Sequence, residues 1–166
     1  MNASILRLLG AVAIISASLP TSAGANAPAG HYVVTAGNGT GNGTVYDTKT
    51  KLTWQQTVPS TTYSWADAKT YCGSAAVSAS LGGTGWRLPT YKELVTIVGY
   101  LQTTAPLIDP NAFPGTLATL FWSASPLPGS PPSAWLLSFL NGGASNLFIT
   151  GTSLDVSSLH SVRCVR

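Results

Sequence analysis

The amino-acid sequence predicts an α+β domain in which two helices pack on short antiparallel sheets joined by long loops. A β-hairpin pattern comes first, two capped helical patterns follow, and strand-like runs fill the second half, an order typical of this fold class. The clearest local signal is the run from Gly82 to Leu94, where an extended edge, a proline stop and a capped helix follow one another. Two widely separated cysteines, Cys72 and Cys164, add a predicted link between the first helix and the last strand.

Residues 1–25 are typical of a secretory signal peptide. Arg7 precedes an apolar run, and small residues follow that run as far as Ala25. The alternative is an uncleaved membrane anchor, but the stretch from Ile5 to Leu19 is shorter than the roughly 20 apolar residues that span a bilayer. We therefore predict export to the periplasm, the cell surface or the extracellular medium.

Charge is scarce along the chain. Eight Lys or Arg and five Asp or Glu give a net charge of +3, and the basic residues form no block that could track a phosphate backbone. We therefore predict no nucleic-acid partner. No second apolar run approaches the length of a bilayer span, so the mature chain is predicted to have no membrane span.

Residues 26–44 are predicted to be a linker rich in Gly and Asn, with a first strand over His31–Thr35. The repeat from Gly37 to Thr44 is typical of a flexible loop. Its two Asn-x-Thr sequons, at Asn38 and Asn42, would matter only in a host that glycosylates exported chains. Residues 45–166 are predicted to form the domain itself.

The domain opens with a predicted hairpin, whose strands Val45–Asp47 and Leu52–Trp54 flank a polar turn. Lys49 and Lys51 lie in this turn. We expect both side chains to be solvated, and they are the residues that we predict to contact a sulfated or acidic polymer.

The first helix is predicted from the capping spacing of Ser64 and Asp67, with Cys72 on its inner face. Residues 75–81 either continue this helix or form a loop towards the glycines that follow. In the next segment, Trp86 and Leu88 should share one side of an extended piece that ends at Pro89.

A capping box, Thr90 with Glu93, predicts a second helix from about Tyr91 to about Leu101. Arg87 could contact an anion at the start of this helix. The interpretation that we favour is structural: a partly buried guanidinium that stacks on Trp86 and bonds to carbonyls or to Glu93.

The second half is predicted to contain a proline-rich loop anchored in the core by Ile108 and Phe113, and then several strands. The segments are a strand over Phe121–Ser125, a surface excursion over Pro126–Pro132, a strand over Ala134–Leu140, a turn at Asn141–Gly143, a return strand over Leu147–Ile149, a turn region over Asp155–Ser161 and a last strand over Ser161–Arg166. Within the last strand, Val162 and Cys164 should share one face, with Arg163 and Val165 on the other.

An even number of cysteines in an exported chain indicates a disulfide, here between Cys72 and Cys164. The alternative is a redox or nucleophilic role, which requires an activated thiol. Neither cysteine lies in a C-x-x-C pair or beside a histidine, so we favour the structural bond.

No constellation of residues predicts catalysis, a metal site or a cofactor. A triad built from His160, Asp155 and a serine lacks the G-x-S-x-G frame, and a metal pair of His31 and His160 lacks a third ligand. Two further carboxylates, Asp47 and Asp109, are better explained as a hairpin-turn residue and a cap than as a glycosidase pair.

Five tryptophans could suggest stacking on sugar rings, but they lie in regular or motif segments, where core packing is the default. They are Trp54, Trp65, Trp86, Trp122 and Trp135.

A set of short motifs, in this order along the chain, resembles the Lcl C-terminal domain family. The motifs are Thr53-Trp54-Gln55, Trp65-x-x-Ala68-x-x-x-Cys72, Gly85-Trp86-Arg87-Leu88-Pro89-Thr90-x-x-Glu93-Leu94, Ile108-Asp109, Phe113-Pro114, Trp122-Ser123, Ala134-Trp135 and Val162-Arg163-Cys164-Val165-Arg166. More distantly, the chain resembles the C-type-lectin-like fold shared with formylglycine-generating enzymes. In that fold a cysteine of the first helix commonly bonds one in the final strand.

The resemblance implies a recognition module. The family is named for the terminal domain of a bacterial collagen-like adhesin, a domain that binds sulfated glycosaminoglycans, although no Gly-X-Y tract occurs here. The calcium motifs of C-type lectins and the copper-binding cysteine pair of formylglycine-generating enzymes are also missing from the sequence. We therefore expect an exported, non-enzymatic recognition or adhesion domain at the bacterial cell surface. Its expected partner is an extracellular polysaccharide, with anionic or sulfated glycans as the candidates, or a surface protein.

Two alternatives to adhesion remain. One is a secreted enzyme of unknown reaction that uses loop residues near His160 or in the Pro126–Pro132 excursion. The other is a purely structural module of the cell envelope. A polar cleft in which His160 meets a carboxylate would favour the enzyme.

Overall fold

The computed structural model describes residues 26–37, 43–128, 133–140 and 152–166, without the side chains of residues 152–155. The predicted signal peptide, the asparagines of both sequons, the turn at Asn141–Gly143 and the return strand Leu147–Ile149 lie outside these residues, as do residues 129–132 of the proline-rich excursion. Within the described part, no helix is long and apolar enough to cross a bilayer.

One antiparallel sheet contains three strands in the order β1-β2-β3: β1 is Tyr32–Thr35, β2 is Thr44–Asp47 and β3 is Thr53–Gln55. The strands β2 and β3 confirm the predicted hairpin. The predicted first strand is also present, and it pairs along β2, so that Tyr32 lies opposite Asp47. In the middle of the sheet Val45 faces Trp54, and both side chains are fully buried.

The described residues form three helices where two were predicted: α1 is Trp65–Cys72, α2 is Ala75–Leu81 and α3 is Tyr91–Thr96. Residues 75–81 are a separate helix because the C-cap residue of α1 is followed directly by the N-cap residue of α2. Gly73 ends α1, and the side chain of Ser74 accepts a hydrogen bond from the amide of Val77 at 3.2 Å, which caps α2.

The third helix ends five residues before the predicted limit at Leu101 because the chain turns inward after Thr96. Ile97 and Val98 are buried in the core. The amide of Gly99 donates to the carbonyl of Leu107 at 3.0 Å, which directs the backbone away from the helix axis. The prediction extended the helix because these apolar residues follow at helical spacing. They are buried in the non-helical segment after α3, so their spacing does not indicate a further turn of helix.

A second antiparallel sheet contains β4 (Leu120–Pro126), β5 (Ser133–Ser138) and β6 (Thr152–Asp155), in that order. The strands β4 and β5 confirm two predicted strands, although the ladder shifts register between Trp122 and Pro126. No strand was predicted over β6, which ends at Asp155, where the turn region was expected to begin.

The C-terminal segment, residues 161–166, lies between β3 and the extended piece around Arg87. Thr53 and Arg166 exchange backbone hydrogen bonds of 2.9 Å, and Arg87 and Val165 exchange two more at 2.9 Å. The segment was predicted as a strand, and it forms isolated bridges to Trp54, Arg87 and Phe121 in place of a ladder in either sheet.

The core consists of two clusters separated by the C-terminal segment. Val165 belongs to the first cluster, with Trp54 and Phe113, whereas Val162 and Cys164 belong to the second. The predicted alternation of faces in this segment is thereby confirmed. Ile108 and Phe113 are also buried, as predicted.

The tryptophans divide into two groups. Trp54, Trp86 and Trp122 are buried, as expected for core residues. Trp65 and Trp135 are only partly buried: Trp65 packs against the second cluster, and the ring centroid of Trp135 lies 5.6 Å from that of Tyr91. The indole of Trp65 donates to the carbonyl of Ser123 at 2.8 Å, and Lys69 lies over its ring.

Candidate functional site

The two cysteines form the predicted disulfide. Cys72 at the end of α1 and Cys164 in the C-terminal segment have Cα atoms 5.4 Å apart, and both residues are fully buried. The described residues contain no free cysteine. These sulfurs therefore fasten α1 to the C-terminal segment and offer no thiol chemistry.

The extended piece before α3 has the predicted two-sided character. Trp86 and Leu88 are buried on one side, Pro89 is buried at its end, and Arg87 is exposed. The indole of Trp86 also donates to the carbonyl of Gly82 at 3.0 Å, which ties the glycine-rich turn to the core.

The capping box at α3 is confirmed. The hydroxyl oxygen of Thr90 accepts from the amide of Glu93 at 3.3 Å, and a carboxylate oxygen of Glu93 accepts from the amide of Thr90 at 2.8 Å. This reciprocal bonding fixes the Glu93 carboxylate beside the extended piece.

Arg87 bonds to that carboxylate through both terminal nitrogens, at 2.8 Å and 2.7 Å. The predicted partner Glu93 is therefore correct, but the predicted stacking on Trp86 is wrong. Arg87 leaves 47% of its side chain exposed, and the guanidinium near Trp86 belongs to Arg166, 5.2 Å from the ring centroid. Arg166 reaches this ring because Gly83 has no side chain there; a Cβ at that position would overlap the guanidinium.

The Arg87–Glu93 pair shifts the pKa of both groups. Hydrogen bonds from Arg87 and from Thr90 lower the pKa of Glu93 to about 2, despite an opposing effect of burial, and the Glu93 carboxylate raises the pKa of Arg87. Since both terminal nitrogens of Arg87 donate to the Glu93 carboxylate, which neutralises their charge, this guanidinium is a weak candidate for an anion contact.

Acid titration should reveal this pair. The folded-state pKa of Glu93 lies below its ordinary value, so its contribution to stability is present above about pH 4.5 and is lost as pH falls towards about 2. Because the pair is partly solvated, we expect Glu93→Gln to remove only about 1 kcal/mol at neutral pH. Urea unfolding between about pH 2 and pH 7 should show a smaller pH dependence in Glu93→Gln than in the wild type, and an unchanged dependence would contradict the assignment.

Lys49 and Lys51 lie on a turn whose backbone is held by hydrogen bonds to the carboxylate of Asp47. This buried carboxylate accepts from the amide of Lys49 at 2.8 Å and from the hydroxyl of Thr50 at 2.7 Å, and it pairs with His31 at 3.1 Å. Lys51 has a φ of +65°, and its amide donates to the carbonyl of Asp47 at 2.9 Å. Both lysine side chains are exposed on this rigid turn, as predicted, and Asp47 has the turn role that the sequence indicated.

The structure does not bring the lysine turn and the Arg87 motif together. They lie on opposite flanks of the C-terminal segment, which pairs with Thr53 on one side and with Arg87 on the other. The described contacts include no hydrogen bond or ion pair between the two groups of side chains.

A buried cation that the sequence did not indicate lies between them. Arg163 is fully buried, and its terminal nitrogens donate at 2.6 Å to the carbonyls of Gln55 and Gln56 and to the hydroxyl of Thr116. Its guanidinium lies 4.7 Å from the ring centroid of Phe113. Burial lowers the pKa of Arg163 to about 9, so it remains charged at neutral pH without a described carboxylate partner.

His160 contacts no described carboxylate. Its ring lies edge-on to Trp122, with centroids 5.1 Å apart, and its Nε2 is 3.2 Å from the hydroxyl of Ser158. Burial lowers the pKa of His160. The side chain of Asp155, the other member of the hypothetical triad, lies outside the described residues.

Metal ligands are not clustered in the described part of the chain, which contains no group of three or more His, Cys, Asp or Glu suited to an ion. Asp109 acts as a cap, as expected. Its carboxylate accepts from the amides of Asn111 and Ala112, and also from the amide of Ala27 at 2.8 Å.

Comparison with known proteins gives a family. A search of curated protein sequences found no match to the chain. The family model of the Lcl C-terminal domain matches residues 43–166, which include the disulfide, the capped α3 and the C-terminal segment. The chain therefore belongs to the Lcl C-terminal domain family.

Proposed function

We propose that this protein is an exported, non-enzymatic recognition or adhesion domain that binds anionic or sulfated glycans at the cell surface. The observation that carries the proposal is the turn at residues 48–51. Its backbone is held by the buried Asp47, so Lys49 and Lys51 project from a rigid base at little further entropic cost.

The distribution of charge supports this choice of ligand. Most described carboxylates bond internally: Asp47 to the turn and His31, Glu93 to Arg87, and Asp109 to backbone amides. Five exposed cations form no ion pair within the described residues; one of them, Lys69, lies over the ring of Trp65. The other four are Lys49, Lys51, Lys92 and Arg166. An anionic polymer would therefore meet a surface on which most negative charges are already hydrogen-bonded, while the positive charges remain free to bind it.

The disulfide supports export, because such bonds persist in oxidising compartments. We also propose that the α+β fold is C-type-lectin-like. The bond between the first helix and the C-terminal segment is the kind of link that the resemblance implies.

Chromatography on immobilised heparin provides the test. The protein should be retained at low salt and elute as salt screens the contacts. The double variant Lys49→Gln/Lys51→Gln should elute at clearly lower salt, since each exposed cation contributes up to about 1 kcal/mol. The single variants should fall between the double variant and the wild type.

Lys69→Gln and Lys92→Gln are the charge-matched controls. The ammonium of Lys69 lies 3.6 Å from the ring centroid of Trp65, on a helix away from the hairpin turn. Its removal should leave retention close to that of the wild type. Loss of retention in every lysine variant alike would indicate net charge alone, and retention of the double variant at wild-type salt would refute the assignment of the turn.

A further inference from the structure

An open cleft beside α1, about 480 Å³ in volume, differs in chemistry from the lysine turn. Its lining consists of Thr62, Tyr63, Tyr71 and Leu159, together with polar side chains on one face of α1 and at the start of α2. Among the described residues that line the cleft there is no cation and one carboxylate, that of Asp67.

The aromatic floor of the cleft, formed by Tyr63 and Tyr71, is preorganised. The rings of Tyr63 and Tyr71 stack with centroids 4.8 Å apart and an interplanar angle of 28°. Tyr63 exchanges two backbone hydrogen bonds with His160, and its carbonyl also accepts from the indole of Trp122 at 2.8 Å. A buried glutamine, Gln55, donates to the hydroxyl of Tyr71 at 3.4 Å. Leu159, 61% exposed, forms the facing apolar edge.

The polar groups around this floor offer both donors and acceptors. Asp67 uses one carboxylate oxygen to accept from Ser64, and its other oxygen has no described contact. The hydroxyl of Thr70 donates to a backbone carbonyl, which leaves its lone pairs to accept. The oxygens of Ser74 and Tyr71 already accept a hydrogen bond each, so their hydroxyl protons can be donated to a ligand.

We propose that this cleft binds a neutral pyranose sugar. A pyranose combines an apolar face of C–H groups, which suits an aromatic floor, with a ring of hydroxyls that donate and accept at the same time. The carboxylate of Asp67 can accept from two neighbouring hydroxyls and would repel a sulfate or a carboxylate. The site goes beyond the anionic-glycan proposal and uses neither of its lysines, so each can fail without the other.

The test is a titration of the ¹⁵N-labelled protein with the methyl glycosides of glucose, galactose, mannose and N-acetylglucosamine. At least one of them should bind with a millimolar Kd and shift the amide signals of Tyr63, Asp67 and Tyr71. Its sulfated counterpart should bind more weakly. Binding by none of the four, shifts that lie away from α1, or tighter binding of the sulfated sugar would each overturn the proposal.

Variants then separate the floor from the polar rim. Tyr71→Ala should weaken binding about tenfold, in line with the loss of one aromatic contact. Leu159→Ala and Asp67→Asn change exposed side chains, so they keep the test valid if Tyr71→Ala does not fold. Both variants should weaken binding of the neutral sugar. Asp67→Asn should also reduce the difference in affinity between the neutral sugar and its sulfated counterpart. An exposed tyrosine elsewhere, Tyr100, is the matched control, and Tyr100→Ala should bind as the wild type does.

Discussion

Replacing both Cys72 and Cys164 by serine should lower the free energy of unfolding by about 4–5 kcal/mol. The bond closes a loop across a sequence separation of 92 residues, so its loss releases a large conformational entropy in the unfolded chain. Since small domains are typically stable by only about 5–15 kcal/mol, the variant should lie close to its unfolding midpoint under mild conditions.

Urea unfolding followed by tryptophan fluorescence measures this loss directly. The double alanine variant is the control, because it breaks the bond without leaving serine hydroxyls in an apolar cluster. Treating the wild type with a reductant should produce a similar decrease. A double variant within about 1 kcal/mol of the wild type would show that packing alone holds α1 against the C-terminal segment.

Substituting Arg163 should be the most damaging change at a single position that we consider. Arg163→Ala removes the donors to two backbone carbonyls and the Thr116 hydroxyl, and it leaves a cavity beside Phe113. We expect a loss of about 3–5 kcal/mol, which combines the cavity with the unsatisfied acceptors. Equilibrium unfolding in urea at neutral pH is again the measurement.

Two further variants separate packing from hydrogen bonding. Arg163→Met keeps most of the volume, so it should retain part of the stability that Arg163→Ala loses. Arg166→Ala removes a neighbouring but exposed arginine and should change stability by less than about 1 kcal/mol. If Arg163→Met were as stable as the wild type, the three donated hydrogen bonds would make no net contribution.

Local signals in the sequence predicted the helix starts and the turn. Ser64 and Thr90 cap their helices because capping depends on residues within one turn of each other. The same locality explains why Asp47 could be assigned to the hairpin turn. The separation of α2 from α1 was left open, since an apolar run after a single glycine is compatible with either a continuing or a new helix.

Contacts between distant residues explain most of the differences. Arg166 takes the place over Trp86 that was assigned to Arg87, and only the folded chain brings Gly83 and Arg166 together. The role of Arg163 depends on the carbonyls that surround it, which a strand pattern does not specify. The cleft beside α1 likewise needs Leu159 to approach Tyr63 from the far end of the sequence.

The position of residues 161–166 has a consequence for biosynthesis. Both apolar clusters take side chains from this segment, and the only described covalent cross-link ends in it. Neither cluster is complete without these residues, so we expect the domain to fold only after residues 161–166 have been synthesised. Until that point the polypeptide would stay extended, a state that would suit the proposed export through a narrow translocation pore.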